Sequence, residues 1–422
     1  MKELHQLLKE SGASDFLIRQ TTTLSREAFF IGQKLDMSRA KNVTHTFVTV
    51  YVDSDDQKYR GSATKEIHPT CTSAEMQKEI ASALFAAKFV QNPWYPIVSG
   101  HSCKAVGLDV DLNEQLVKIV RGMQSVSAKA DEKLNSYEIF VTQNKTHIVN
   151  SQGVDVSFSS FSCEVEAVIN TWKDGHEIEL LKVLRFADKP AEEITAEVED
   201  MFISGHQRLN AVPTRQNEHA NLLLSGDDVA EFFQYFTAHT NASNQYMGVG
   251  KAKIGEKITG DAADPLNIRL LPFLNGSTKN EPYDPDGNPV TERVLFEDGV
   301  CKSFWGRNQH AYYIGMKDTT SRNNLQVSGG TMSESELRAL PHLEVTDFSA
   351  FQMDPVTGYF GGEIRLGYES DGVHRHSVSG GSVSANFSKV LGNLRFSKET
   401  RQINDCIVPR VVYLTDVCIS GE

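Results

Sequence analysis

Two short stretches bring metal-binding or acid–base side chains close together. The first is His176-Glu177. A zinc peptidase working from a helix needs two histidines about one turn apart, with a glutamate beside the first. The imidazoles hold the metal and the carboxylate activates its water. Leu180 and Leu181 occupy the positions where a second histidine would complete HExxH or HExxxH. The pair also follows Asp174-Gly175, so the stretch reads as a hairpin strand. The second stretch is SDGVHRHSVSG, with His374 and His376. In a strand, residues two apart face the same side, a usable geometry for one metal ion. The preceding Asp371-Gly372 equally suits a hairpin strand with two half-exposed histidines, and both readings stand. His239 closes an apolar, helix-like stretch and is placed to act as a cation at a helix C-terminus.

Nucleophile and phosphate motifs are missing from the obvious places. GGSVSAN (380–386) has serines and glycines without the GxSxG elbow. SGGTMSESEL (328–337) lacks the lysine and second glycine of a phosphate loop. Its Ser333 and Glu336 stand instead at the spacing of a helix capping box. The six cysteines, Cys71, Cys103, Cys163, Cys301, Cys406 and Cys418, are scattered with no CxxC pair. Reduced thiols are expected, and zinc bound through paired cysteines is not.

These residues must be held by a chain of 422 residues, more than one compact core usually serves. Apolar residues make up 40%, enough for sizeable cores. No apolar run is long enough to span a membrane. The start, MKELHQLLKESGASDF, reads as a short amphipathic helix without the features of a secretory signal, so a cytoplasmic location is expected. The net charge is −13, with lysine and arginine interspersed among acids. A nucleic-acid surface needs concentrated positive charge, so direct nucleic-acid binding is not expected, and neither is a membrane partner.

The order of elements predicts an α+β fold. An N-terminal α/β region of two strand-plus-helix units with antiparallel sheets precedes a mostly β C-terminal domain. THTFVTVYVDSDD (44–56) reads as a buried strand. Thr72 and Glu75 then form a capping box ahead of a stripe of Met76, Ile80, Leu84 and Ala87. QNPWYPIVSG (91–100), with two prolines, reads as a linker or extended arm. In the second unit QNKT, NSQG and WKDG are expected turns between strands, and Pro190 opens a closing helix. The polar run RLNAVPTRQNEHAN marks the main boundary. This places units at 1–100, 101–212 and 213–422. The last unit opens on SGDDVAEFFQYFTAH, where Val229, Phe232, Phe233 and Phe236 recur at helical spacing.

The C-terminal half also carries an ordered set of motifs. GVGKAKIGEKITGDAADPLNIRLLPFLNG is followed by PYDPDGNPVTERVLFEDGVCKSFWGRNQHAYYIG, TTSRNN and SGGTMSESELRA. TGYFGGEIRLGYESDGVHRHSVSGGSVSANFSKVLGNLRF and a final VPRVVYLTDVCISG complete the set. This succession resembles the TldD/PmbA family, known as modulators of DNA gyrase and as peptidase components. GSATKE and SAEMQKEIASALFAAK in the N-terminal half agree in outline. The family has two kinds of chain. The TldD kind is a zinc metallopeptidase with HExxxH on the first helix of its C-terminal domain and a further cysteine ligand near its end. The PmbA kind, also called TldE, lacks that motif and pairs with a TldD-type chain. Here Glu231 remains an acid, but Phe232, Phe233 and Phe236 stand in the region of the ligands. The segment before the last strand is NLRFSKETRQINDC, whose Cys406 lies nearer that strand than a ligand should.

The resemblance therefore implies a PmbA-like chain with no metal of its own and zinc in a TldD-type partner. It implies a dimer, of unlike subunits or of this chain alone, and proteolysis of unfolded peptides. It also implies peptide contacts at Thr357, Gly358, Phe360 and Asn386, which match family signature positions in TGYF and SAN. Two alternatives stay open. One is an autonomous metallopeptidase with a relocated metal on His374, His376 and an acid. The other is a gyrase- or DNA-associated binding protein.

Overall fold

The computed structural model describes residues 1–100, 102–104 and 110–422. His101, at the expected border of the first two units, lies outside the described residues. The fold class is the expected α+β, with antiparallel pairing dominating the N-terminal sheet and a β-rich C-terminal half.

After α1 (Lys2–Glu10), three antiparallel strands follow: β1 (Asp15–Ile31), β2 (Lys34–Asp53) and β3 (Tyr59–Glu66). Helix α2 (Ser73–Ala87) starts on the expected capping box, in which Thr72 and Glu75 satisfy each other's free N–H groups. The arm contributes β4 (Asn92–Pro93) beside β3, and β5 (Ser102–Lys104) lies on the far edge. Next come α3 (Leu112–Gln124), β6 (Glu132–Asn150), β7 (Asp155–Lys173), β8 (His176–Phe186) and α4 (Ala191–Leu209). Because β1 pairs with β6 over fifteen residue pairs, the two N-terminal units share one eight-stranded sheet.

All four helices lie on one face of this sheet. Leu4, Leu8, Ile80 and Ala83 pack on Phe16, Ile18, Val48 and Val50. Ile119, Met123, Val198 and Phe202 pack on Ala28, Phe30, Tyr137, Ile139 and Val165. The end of α2 comes so close to β3 that a Cβ on Gly61 would stand 1.9 Å from the Ala87 carbonyl oxygen.

Two sequence expectations change here. Residues 44–53 are buried along one side, at Thr46, Val48 and Val50, but only at one end of the other, where Tyr51 packs against Tyr95 of the arm while Phe47 is 41% exposed. The sheet carries helices on one face, so a run of mixed β-formers need not be buried twice. QNKT is not a turn but the middle of β6. Opposite it, β1 presents Thr21 and Thr23, which bond Thr146 at 3.3 Å and Asn144 at 2.7 Å. Hydroxyls facing amides across the ladder override the turn preference of Asn and Lys. NSQG and WKDG do turn, with Gly153 and the Asp174-Gly175 pair at positive φ.

The C-terminal half begins with β9 (Val212–Pro213), β10 (Asn217–Leu224), α5 (Asp228–Phe232), α6 (Gln234–Thr240) and α7 (Ala242–Tyr246). It continues with β11 (Ile268–Leu271), β12 (Arg293–Glu297), β13 (Val300–Cys301), α8 (Asn308–Tyr313), β14 (Asn324–Val327) and α9 (Glu334–Arg338). Then come β15 (His342–Phe348), β16 (Gln352–Met353), β17 (Tyr359–Ser370), β18 (Arg375–Ser379), β19 (Ser382–Asn386) and α10 (Phe387–Val390). The last elements are β20 (Arg395–Phe396), β21 (Thr400–Ile403), β22 (Cys406–Pro409) and β23 (Val412–Ser420).

Strands β15, β10, β23, β19 and β17 close on themselves, because the long β17 pairs with β19 by its first half and with β15 by its second. The result is a barrel. A six-stranded sheet, β13-β12-β11-β14-β22-β21, packs beside it, and α5 and α6 sit in the shared core. Ser333 and Glu336 form the expected second capping box on α9. The 92–98 arm fastens the two halves together. Tyr313 Oη donates to the Pro93 carbonyl at 2.5 Å, and Asn308 Nδ2 to that of Pro96 at 2.6 Å.

Candidate functional site

The stretch entering the first helix of the C-terminal half is tightly placed. Ser225 Oγ donates to the buried carboxylate of Glu344 at 2.8 Å. Gly226 follows at φ +75°, where a Cβ would lie 2.3 Å from the Thr346 carbonyl oxygen. The chain then runs helically through α5 and α6, with Phe233 between them still in the right-handed region.

Every large side chain on the inner face of this helix is enclosed. Phe232, Phe233 and Phe236 are fully buried and Tyr235 nearly so. Phe232 meets Phe360 edge-on at 5.5 Å and Phe387 at 4.8 Å, Phe233 meets Phe396 at 6.0 Å, and Phe236 meets Phe296 at 5.9 Å. Rings in these arrangements add about 0.5–1.5 kcal/mol per pair to the area they bury. A phenyl ring has no lone pair for a metal ion, so this face does not fit one.

His239 departs from its sequence reading. It is 1% exposed, and its Nδ1 accepts the Lys251 N–H at 3.2 Å. Its Nε2 is buried without a partner. Burial, reinforced by the charge of Lys251, lowers its pKa to about 4. His239 is a neutral core residue, not a cation at the helix end, because desolvation exceeds what a helix C-terminus returns.

The outer side of the helix is acidic. Burial, then Asp347, Asp227 and Glu231, push the Asp228 carboxyl up to about 7. Cys406 approaches α5 from β22 but is buried, and burial raises its thiol to about 12. Such a thiol stays protonated at neutral pH, the wrong state for a ligand. The Arg322 guanidinium lies 3.7 Å from its sulfur.

Of the expected peptide contacts, three come together. Asn386 Nδ2 donates to the Thr357 carbonyl at 3.1 Å, and its Oδ1 accepts from the Ser388 N–H at 2.9 Å. Thr357 Oγ1 donates to Asp354 at 2.6 Å. Gly358, at φ +82°, leaves room that a Cβ would fill 3.2 Å from Asn386 Oδ1 and 3.6 Å from Lys251 Nζ. Lys251 had no local sequence signal. Its ammonium lies 5.9 Å from the centre of the Tyr235 ring. Phe360 is not part of this surface. It is 3% exposed, and its ring packs with Phe232, Phe351 and Phe387, so its side chain serves the core. Strand alternation sends Tyr359 outward and Phe360 inward.

His374 and His376 line one open groove of about 590 Å³ with His219 and His342. They do not converge on one acid. His374 faces Asp371 at 3.2 Å, whereas His376 faces Glu369, its cross-strand partner, at 3.5 Å. His176-Glu177 begins strand β8, as the hairpin reading expected. Among the described residues, one group of three ligand-type side chains lies within 4.8 Å: Asp131, Glu132 and His206. There Glu132 already holds Lys129 Nζ at 3.3 Å and His206 Nε2 at 3.1 Å.

Residues 217–421 match the family model of the PmbA/TldA metallopeptidase C-terminal domain. No curated protein matches the sequence. Among solved structures, TldE from Thermococcus kodakarensis is similar over 99% of this chain and 100% of its own, with a TM-score of 0.78 and 18% identity. A protein described as a modulator of a DNA gyrase, from Thermotoga maritima, is similar over 100% of this chain and 99% of its own, with a TM-score of 0.78 and 18% identity. A counterpart from Bacteroides thetaiotaomicron, described likewise, gives 0.78 at 15% identity over the same shares. At these identities the likeness establishes the fold of the whole length. Residues 217–421 carry the C-terminal domain of the PmbA/TldD family, and the chain as a whole has the fold of the solved structures it resembles.

Proposed function

We propose that this chain is the PmbA/TldE-like, non-metal subunit of a TldD-type zinc metallopeptidase that processes unfolded peptides. The observation that carries the reading is the α5–α6 helix. At the position where the TldD kind would need imidazoles, Phe232, Phe233 and Phe236 are buried against other aromatic rings. The fold likeness to a protein named TldE supports it. The zinc and the water it activates then belong to the partner, and this chain supplies an interface and part of a peptide-binding surface. Thr357, Gly358 and Asn386 form one hydrogen-bonded surface cluster at the start of β17, against which, in this reading, an extended chain lies.

The test is reconstitution. The purified chain alone should cleave no unstructured peptide. With a TldD-type chain it should form a complex whose cleavage is abolished by a zinc chelator and restored by zinc. Absence of any complex overturns the reading. One zinc per isolated chain, lost on replacing His374 and His376, would instead favour an autonomous enzyme.

A further inference from the structure

On the outer face of the barrel, β17 and β19 run side by side with Tyr359 opposite Asn386, Gly361 opposite Ser384 and Glu363 opposite Ser382. Their alternate residues, Phe360, Ile364 and Val383, point into the core. The outward set is therefore polar and open, with Tyr359, Glu363 and Arg365 along one strand. It leads from the Thr357–Gly358–Asn386 cluster to a groove of about 550 Å³ where α4 meets the barrel. From Tyr359 to Arg365 is six strand steps, roughly 20 Å, the length of an extended peptide of about six residues.

That groove is lined by Arg208 of α4 and Arg365 of β17, with Ser349, Ser379 and Ser382 around them. Arg365 Nη2 donates to Ser349 Oγ at 3.0 Å. Neither guanidinium forms an ion pair among the described residues. The carboxyl they influence is Asp347, which is itself pushed toward its neutral form by burial against the pull of Arg365 and Arg208. In a chain of net charge −13, two arginines that form no ion pair among the described residues, at the end of a polar trough, are suited to binding an anion. The planar guanidinium fork matches a carboxylate. Glu363 in the same groove favours a singly charged anion over a phosphate.

We infer that Arg208 and Arg365 bind the C-terminal carboxylate of an extended peptide laid along β17 and β19. This rests on the peptide-processing reading above and adds a polarity: the peptide's C-terminus at α4 and its upstream residues toward Asn386.

The test uses the full chain and an unstructured peptide of six to eight residues, labelled at its N-terminus, as free acid and as C-terminal amide. Fluorescence anisotropy reads the affinities. The free acid is expected to bind about tenfold more tightly than the amide. Arg365→Gln and Arg208→Gln should each erase most of that preference while leaving the amide's affinity unchanged. Acetate should compete with the acid peptide at least as well as phosphate. Equal binding of acid and amide, or a preference that survives both substitutions, overturns the carboxylate assignment alone. Stronger competition by phosphate also overturns it. Failure of either peptide to bind, alone or with a TldD-type partner, overturns this inference together with the peptide reading.

Discussion

Tyr235 and Phe387 stack face to face, with ring centroids 3.7 Å apart and planes 7° from parallel. Tyr235 lies on the first helix of the C-terminal half and Phe387 just past the end of β19, so the contact joins that helix to the strand facing the proposed peptide trough. Phe232 and Phe360 extend the same cluster. The helix is thus bonded into the barrel wall by rings.

Truncating this cluster should be costly. Phe232→Ala removes a fully buried ring, and the destabilisation expected for such a change is about 3–5 kcal/mol. Urea unfolding followed by fluorescence would measure it. A loss below about 1 kcal/mol would show that the helix face is not core.

His239 and Asp228 should give opposite pH signatures. The folded His239 has a pKa near 4, below the ordinary value of 6.5. Between those values the unfolded chain binds the proton and the folded chain does not, so stability falls as pH drops from 6.5 toward 4. His239→Gln should remove that slope. Asp228 is shifted the other way, from 3.8 to about 7, so stability falls as pH rises through that window. Asp228→Asn should therefore gain stability relative to the parent at pH 8 and not at pH 3.5. Unfolding series of both variants across pH 3.5–8 check the two signs, and parallel curves for parent and variants would contradict them.

The His374–His376 pair should be dispensable for folding. Both are half or more exposed, and each pairs with a separate carboxylate. Exposed pairs contribute about 0–1 kcal/mol. Replacing both with alanine should shift the urea midpoint little and leave the zinc content of the isolated chain, read by elemental analysis, unchanged.

The arm that fastens the two halves should loosen on losing one hydroxyl. Tyr313→Phe removes the bond to the Pro93 carbonyl, a net contribution of about 1 kcal/mol. Ring packing of Tyr313 with Tyr95, at 5.8 Å, is retained. Limited proteolysis should then cut within residues 92–100 faster than in the parent, with global stability little changed. Equal cutting rates would mean the bond does not hold the arm.

Much of this molecule is local and so was readable in the linear chain. The two capping boxes, the Asp174-Gly175 turn and the strand identity of His176-Glu177 depend on residues a few positions apart. The outward position of Tyr359 and the inward one of Phe360 follow from strand alternation once the strand is known, yet the sequence reading grouped Phe360 with the surface. That grouping relied on a motif, which is blind to which side of a strand each letter faces.

Other features exist only because distant segments meet. QNKT became a strand since β1, more than a hundred residues earlier, supplied threonines opposite it. His239 lost its charge because the fold closed over it, and no neighbour in sequence announced that burial. Arg208 and Arg365 are separated by the whole barrel entrance in sequence and share a groove only where α4 meets β17. Composition and spacing determined the two capping boxes and the turns at NSQG and WKDG, since those energies act within a few residues. Which side chains are dehydrated, and which charges are left without a partner, was decided by tertiary contact, because desolvation and Coulomb energies depend on distance in space and not along the chain.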